Sequence, residues 1–184
     1  MLAYGAQDLA RAYRTVRANT ITIAEEIPES KYDFVPAPGT RTVRQLLVHV
    51  ALSDSFSTVH KEKRTSFDGV NFPELVAQMQ AEEAKPRSKA DIVALLKQRG
   101  DDTANWIASL SESFLAEPFT QPRGEPATKS RFEMIMGMKE HEMHHRAQLM
   151  LIERMIGIVP HLTRQMQERI AQMSQAAAGQ SARA

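Results

Sequence analysis

The chain has 184 residues, 42% of them hydrophobic, a length that supports one sizeable core but is short for two domains. Lysine and arginine total 23 against 22 aspartate and glutamate residues, so a net charge of +1 provides no long-range field to attract nucleic acid or an anionic membrane. The sequence has no cysteine, which excludes disulfides, thiolate metal sites and a cysteine nucleophile and leaves His, Asp and Glu as the strong metal ligands.

The amino-terminal stretch, MLAYGAQDLARAYR, lacks the basic-then-apolar layout of a secretion signal, and no run in the chain reaches the ~18 apolar residues that a membrane span requires. We therefore expect a cytoplasmic protein with no membrane segment and no nucleic-acid partner. Apolar residues recur at steps of three and four from Leu9 to Ile27, where Pro28 ends the pattern. This periodicity predicts the first helix.

A loop, PESKYDFVPAPGT, follows the first helix, and Thr42 with Gln45 then forms a capping box. The box predicts a second helix over VRQLLVHVALSDSFSTVH. A short crossover helix is predicted from Pro73 to Ala84, because proline suits the first turn of a helix and Pro86 cannot continue one.

Two more long helices follow the crossover. Ser88 and Asp91 form a capping box ahead of IVALLKQRGDDTANWIASLSESF, which predicts the third long helix, although Gly100 in its middle is unfavourable for helix formation. After a proline-punctuated loop, AEPFTQPRGEPATK, Ser130 caps a fourth long helix that ends at Gly157.

A short last helix is predicted from Leu162 to Met173, and the residues after it have too little apolar content to pack. Alternating β patterns are absent, so we expect no strand. These patterns predict an all-α protein, a four-helix bundle with a crossover segment between the second and third helices. We expect one domain over residues 1–174 and a disordered tail over residues 175–184.

The fourth helix carries HEMHH, residues 141–145. His141 and His145 lie four residues apart, so both imidazoles project from one helix face and can reach one ion at ~2.0–2.1 Å. A zinc site needs further ligands, and His49 in the aliphatic run LLVHVAL is a candidate because a buried imidazole needs partners for its nitrogens. A core histidine bound to a carbonyl or a water is the alternative for His49. The His141 and His145 pair favours the metal site.

The same letters match the His-Glu-x-x-His signature of zinc proteases, in which Glu142 would be the general base. Such an enzyme takes its third ligand downstream, yet RAQLMLIERMIG after His145 lacks a Gly-x-x-His continuation. Glu168 is the remaining carboxylate that could complete a protease site. The lack of a predicted strand to align a peptide argues against this hypothesis.

The segments FVPAPGTRTVRQLLVHVA and EMIMGMKEHEMHHRAQLMLIERMIGIVP together resemble the DinB family of metalloenzymes, and the resemblance covers residues 5–160. On the fourth helix the family commonly has His-Glu-x-x-His-Arg-Gly-Gln. This sequence matches from His141 to Gln148, except that Ala147 replaces the glycine. The resemblance implies a DinB-type four-helix bundle, often a homodimer, with a divalent metal ion, zinc or nickel, held by His49, His141 and His145. His144 lies beside this triad and could replace one ligand. The resemblance implies no DNA-related function.

Three neutral imidazoles leave a metal ion with its full charge and an open position, which lowers the pKa of a bound water or thiol. The resemblance implies a small-molecule substrate, most strongly a low-molecular-weight thiol in an S-transfer reaction, with hydrolysis as the other reaction. The alternative is a non-catalytic ligand-binding or regulatory bundle whose metal site is structural or vestigial. Glu142 is either a hydrogen-bond partner of an imidazole or a solvated residue. Arg146 either binds a carboxylate of the substrate or is an exposed or dimer-interface residue.

Overall fold

The structure is a computed structural model, and it describes residues 4–121 and 126–181. The elements in these ranges are α1 Ala6–Glu26, α2 Val43–Leu52, α3 Thr58–Lys61, α4 Phe72–Glu83, α5 Lys89–Ala108, α6 Glu112–Ala116, β1 Pro118–Thr120, β2 Thr128–Ser130, α7 Arg131–Met155 and α8 His161–Ser181. None of the described helices is both long enough and apolar enough to cross a membrane.

The helices α1, α2, α5 and α7 form a four-helix bundle, in which α1 and α2 each pack against both α5 and α7. This arrangement confirms the predicted all-α bundle. Helix α4 lies in the crossover between α2 and α5 and packs on α2, as expected. The predicted capping boxes are all formed, with the pairs Thr42 and Gln45, Ser88 and Asp91, and Ser130 and Glu133.

The second helix is shorter than predicted. Helix α2 ends at Leu52, and a 3-10 turn over Ser53–Ser57 leads into α3. The hydroxyl of Ser53 donates to the carbonyl of Val50, and Ser57 donates in the same way to a carbonyl three residues back. Serine hydroxyls that bond local carbonyls compete with the helical pattern, which explains the early end.

Two further predictions were wrong. The third long helix ends at Ala108, and the side chain of Ser111 caps the separate helix α6 by accepting from the Phe114 backbone. The loop predicted to contain no strand forms an antiparallel hairpin, in which β1 pairs with β2 and the buried Phe119 lies opposite Lys129. Strands of three residues are too short to show an alternating pattern in the sequence.

Helix α8 continues to Ser181, beyond the end predicted at Met173 and into the residues expected to form a disordered tail. The run of alanines at 176–178 favours helix, which the low apolar content had obscured. Every side chain from Gln165 to Ala178 is exposed, so α8 is held to the bundle by its first turn.

One buried guanidinium connects all four bundle helices. Arg17 on α1 is 3% exposed, and its Nε donates to both carboxylate oxygens of Glu142 on α7, at 2.9 and 3.0 Å. Its Nη1 donates to the Leu96 carbonyl on α5 at 2.9 Å, and its Nη2 donates to the Val50 carbonyl on α2 at 3.2 Å and to the Tyr13 hydroxyl at 2.8 Å. Burial lowers the pKa of Arg17, but the charge and hydrogen bonds of Glu142, together with Tyr13 and Asp54, raise it above its usual value, so the guanidinium stays charged.

Gly100 in the middle of α5 is explained by the same arginine. A Cβ at this position would lie 2.6 Å from Cγ and 3.2 Å from Cδ of Arg17. The hydrogen bonds of the guanidinium fix the Arg17 side chain, so it cannot move aside. A residue unfavourable for helix therefore occupies this position because Arg17 crosses α5 there.

We predict that Gly100→Ala lowers the free energy of unfolding by about 1–3 kcal/mol, because the steric overlap with Arg17 outweighs the better helix propensity of alanine. Gly137 in α7 is the matched control, since an added Cβ there meets no atom within 4 Å. Gly137→Ala is expected to raise the free energy of unfolding by about 0.5–1 kcal/mol. Urea denaturation of both variants measures the difference, and effects of the same sign and size would contradict this explanation of Gly100.

A buried carboxyl lies where α7, α1 and α8 meet. Glu153 is fully buried, and neither of its carboxylate oxygens has a hydrogen-bond partner among the described residues. Glu26 of α1 and Arg164 of α8 form an ion pair at the same junction. Burial and the charge of Glu26 raise the pKa of Glu153 to about 7, against the opposing charges of Arg164 and Arg154.

This raised pKa predicts a pH dependence of stability. The pKa of Glu153 is higher in the folded chain than its ordinary value of 4.5, so the folded state holds this proton more tightly. The resulting stabilisation is complete below about pH 4.5 and is lost as the pH rises through about 7. Glu153→Gln has a side chain that is neutral at every pH. At pH 8 we expect its free energy of unfolding, measured by urea denaturation, to exceed that of the wild type by on the order of 2 kcal/mol. At pH 4.5 the two proteins should differ little.

The exposed Glu140 on the same helix provides the control, because Glu140→Gln changes the same charge without a buried carboxyl. Identical pH profiles for the wild type and Glu153→Gln would show that folding does not raise the pKa of Glu153.

Candidate metal centre

Three histidines from two facing helices converge on one point. The Nε2 atom of His141 on α7 lies 3.3 Å from Nε2 of His49 on α2 and 3.1 Å from Nε2 of His145. Within the described residues, His49, His141 and His145 form a group of three potential metal ligands whose ligand atoms all lie within 4.8 Å of one another. A tetrahedral ion with bonds of 2.0–2.1 Å separates its nitrogen ligands by about 3.3 Å. The observed spacing therefore suits a single divalent ion.

The outer ring nitrogens of two of these histidines are held by oxygen acceptors. Nδ1 of His49 lies 2.8 Å from Oε1 of Glu83 at the end of α4, and Nδ1 of His145 lies 2.9 Å from Oε1 of Gln148. Oxygen acceptors at these positions place the ring proton on Nδ1 and leave the lone pair on Nε2. Arg41 in turn donates to Glu83 from Nε at 2.7 Å and from Nη2 at 3.3 Å. The lone pairs of His49 and His145 thus point toward His141.

The surroundings keep the three imidazoles neutral. Burial lowers the pKa of His49, His141 and His145, and for His141 burial together with the neighbouring imidazoles lowers it to about 4. The hydrogen bonds to Glu83 and Gln148 oppose this effect for the other two rings but do not cancel it. A neutral imidazole is the form that binds a metal ion.

Two other residues considered from the sequence lie outside this group. His144 is exposed, and its Nε2 pairs with the side-chain amide of Gln148 at 3.2 Å. Glu168 is exposed on α8, and in the described residues its carboxylate does not join the cluster of His49, His141 and His145. The third histidine therefore comes from upstream in the chain, and the downstream ligand that a protease site requires is not brought to the motif.

Glu142, although adjacent to His141, faces the bundle interior. Its carboxylate is fully buried, and both oxygens accept hydrogen bonds from Arg17. In the described residues it makes no hydrogen bond to an imidazole, so the partner role considered from the sequence is not formed. Arg146 is half-buried, and its Nε lies buried without a partner in the described part of the chain.

Sequence reasoning missed Glu83 and Arg41, which support His49. Glu83 is buried, but its neighbour Glu82 forms ion pairs with Lys85 and Arg87 at the surface. Nothing in the local sequence distinguishes the two glutamates. Gln148 lies in the segment that resembles the DinB family, but its spacing from His145 alone does not predict the hydrogen bond between the two side chains.

A cavity of about 840 Å³ opens beside His145. It lies between the loop before α2, the start of α2, the end of α4 and the second half of α7. The cavity gives a small molecule access to the metal centre on the side of His145, with Glu83 and Gln148 also in its lining.

Comparisons with known proteins agree with the four-helix bundle fold. A model of the DinB superfamily matches residues 12–149. YfiT from Bacillus subtilis, described as "a probable metal-dependent hydrolase with an unusual four-helix bundle topology", is 17% identical, with 83% of this chain and 88% of that chain covered and a TM-score of 0.65. A DinB-like protein from Bacillus subtilis, YjoA, is 20% identical, with 81% and 92% covered and a TM-score of 0.58.

An uncharacterized protein from Clostridium difficile is 15% identical, with 84% of this chain and 98% of that chain covered and a TM-score of 0.63. No curated protein is a significant match. At these identities the solved structures establish a shared fold. The four-helix bundle described above is therefore an arrangement that other proteins also adopt.

We predict that Glu83→Ala weakens zinc binding about 10- to 100-fold, because His49 loses the acceptor that orients its ring. Titration with zinc in competition with a chromophoric chelator measures the affinity. Glu82→Ala removes the adjacent, solvent-exposed carboxylate and is expected to leave the affinity unchanged. Equal losses in both variants would show that Glu83 acts through general charge and not by orienting His49.

Glu142→Gln is the contrasting change, since it leaves Arg17 charged, buried and without its ion-pair partner. We expect the free energy of unfolding to fall by about 3 kcal/mol. The amide oxygen of the glutamine still accepts a hydrogen bond from Arg17 and keeps α7 in place, so the folded protein should keep its zinc affinity within roughly three-fold. A loss of zinc affinity as large as that of Glu83→Ala would show that Glu142 supports the metal ligands.

Proposed function

The chain belongs to the DinB superfamily, and from this membership and the converging imidazoles we propose that the protein is a metal-dependent hydrolase acting on a small molecule. The observation that carries the proposal is the separation of 3.1 and 3.3 Å between the Nε2 atoms. YfiT, which shares the fold, is described as a probable metal-dependent hydrolase. That description supports hydrolysis as the reaction.

His49, His141 and His145 would hold a divalent ion, zinc or nickel. An ion bound in this way supplies Lewis acidity and lowers the pKa of a coordinated water to about 7. Glu83 and Gln148 orient the rings of His49 and His145. Arg41, in the cavity lining, would contribute positive charge that stabilises negative charge developing on the substrate.

The carboxylates nearest the imidazoles are already bound to arginines. Glu83 accepts from Arg41 and His49, and Glu142 accepts from Arg17. Both carboxylates are therefore held by hydrogen bonds from arginine side chains. The proposed hydrolysis therefore differs from that of a zinc protease, which uses the glutamate of its motif as general base.

Transfer of a low-molecular-weight thiol is a second reaction that this site could support. The cavity of about 840 Å³ has room for a small thiol and an acceptor together. A metal ion lowers the pKa of a thiol as it does that of water, so the same residues would serve both reactions.

The metal content of purified protein tests the proposal. We expect about one equivalent of zinc or nickel per chain in the wild type and less than about 0.1 equivalent in His49→Ala and His141→Ala, since two ligands hold an ion poorly. His144→Ala, in which the exposed neighbour is removed, should retain the full equivalent. Stoichiometric metal in His49→Ala would overturn the three-histidine centre.

Activity separates the enzyme from a non-catalytic bundle. The substrates are small esters, lactones and amides, and a thiol such as glutathione is offered together with an electrophile to detect S-transfer. We expect turnover to be lost on chelation, restored by zinc or nickel, and lost in His49→Ala. Full metal occupancy without turnover of any substrate would favour a binding or regulatory role.

A further inference from the structure

The cavity beside His145 has two different sides. One side is apolar and is formed by Leu151 and Met155, one helical turn apart on α7, with Leu46 of α2 deeper in the cavity. Leu151 is 60% exposed and Met155 is 50% exposed, although both are large apolar side chains. A ligand with an apolar portion would remove this surface from water and be stabilised by doing so.

The other side of the cavity carries a cation. Arg41 is the arginine of the lining, and Glu83 is its acidic residue. Nε and Nη2 of Arg41 bind Glu83, but Nη1 donates to none of the described residues, and the Arg41 side chain is 38% exposed. Because Arg41 offsets the charge of Glu83, a divalent ion at the histidines would make the cavity positive overall. An anionic group is favoured there, and a cationic group is disfavoured.

The dimensions set an upper limit on the ligand. His145 and Met155 lie ten residues apart on α7, a rise of about 15 Å. A volume of about 840 Å³ is within the range of small-molecule sites. A chain of roughly eight carbons fits along this wall with its head group at Arg41.

We propose that this cavity selects small amphiphilic anions, with a carboxylate at Nη1 of Arg41 and an apolar chain against Leu151 and Met155. This inference rests on the proposed function for the identity of the reacting end, because it places the substrate beside His145 of the metal centre. It names the substrate class of that site as small molecules that carry a free carboxylate and an apolar chain.

Calorimetric titration of the zinc-loaded protein with octanoate, butanoate and octylammonium tests the proposal. Each methylene buried on the apolar wall strengthens binding about three- to four-fold, so octanoate should bind at least ten-fold more tightly than butanoate. Octylammonium, with the same chain and the opposite charge, should bind at least ten-fold more weakly than octanoate.

Substitutions on α7 locate the binding site. Leu151→Glu places a carboxylate on the apolar wall and should weaken octanoate binding about ten-fold while strengthening octylammonium binding. Met143, 39% exposed on the same helix but outside the cavity lining, is the matched control. Met143→Glu should change neither affinity, and both variants are expected to fold because both positions are exposed.

Arg41→Gln should weaken octanoate binding about ten-fold, with the zinc content measured in parallel because Glu83 loses its partner. Equal effects of Leu151→Glu and Met143→Glu, equal binding of octanoate and octylammonium, or no effect of chain length would each overturn the proposal. If the protein selects octanoate but binds no zinc, the proposed function is wrong and this inference is supported. If turnover depends on zinc but octanoate is not selected, this inference is wrong and the proposed function is supported.

Discussion

The ion pair between Arg17 and Glu142 is the interaction on which the rest of the structure depends. Removing two charges from water is costly, and this pair is stabilised because the guanidinium also bonds two carbonyls and a hydroxyl. The pair fixes the rotation of α7 about its own axis. A rotation of 20° would move an imidazole nitrogen on this helix by about 2 Å. A shift of this size is more than half of the 3.1 and 3.3 Å spacings at the metal centre, so the core contact sets the site geometry.

The consecutive residues His141 and Glu142 serve different faces of one helix. Adjacent helical residues are about 100° apart, so His141 turns toward α2 while Glu142 turns toward α1. In a zinc protease the glutamate of this motif works beside the metal. Here the facing helix α2 supplies the third imidazole, and the glutamate supports the core. The chemistry that a five-residue motif performs therefore depends on which helices surround it.

The long helices were predictable because their signals are local. Capping boxes and apolar periodicity lie within a few residues of the boundaries that they determine, and the three histidines stand in recognisable local patterns. Gly100 could not be explained in this way, because the side chain that requires a glycine there comes from α1. Glu83 and Glu82 are equivalent in the sequence, and only the path of α4 across α2 makes one of them the partner of His49. The serines after α2 and the short hairpin likewise depend on contacts that no periodicity reveals.

In the described part of the chain, helix α8 is attached to the bundle only near its amino-terminal end, and its exposed part from Gln165 to Ala178 extends away from this attachment. Its first turn bonds to the bundle through His161, which pairs with Asn19, and through Arg164, which pairs with Glu26. The helix of 21 residues is about 30 Å long, so a tilt of 10° at this attachment displaces its far end by about 5 Å. The buried carboxyl of Glu153 lies at the pivot. Glu153, whose burial raises its pKa to about 7, therefore lies beside the contacts that set the direction of the whole helix.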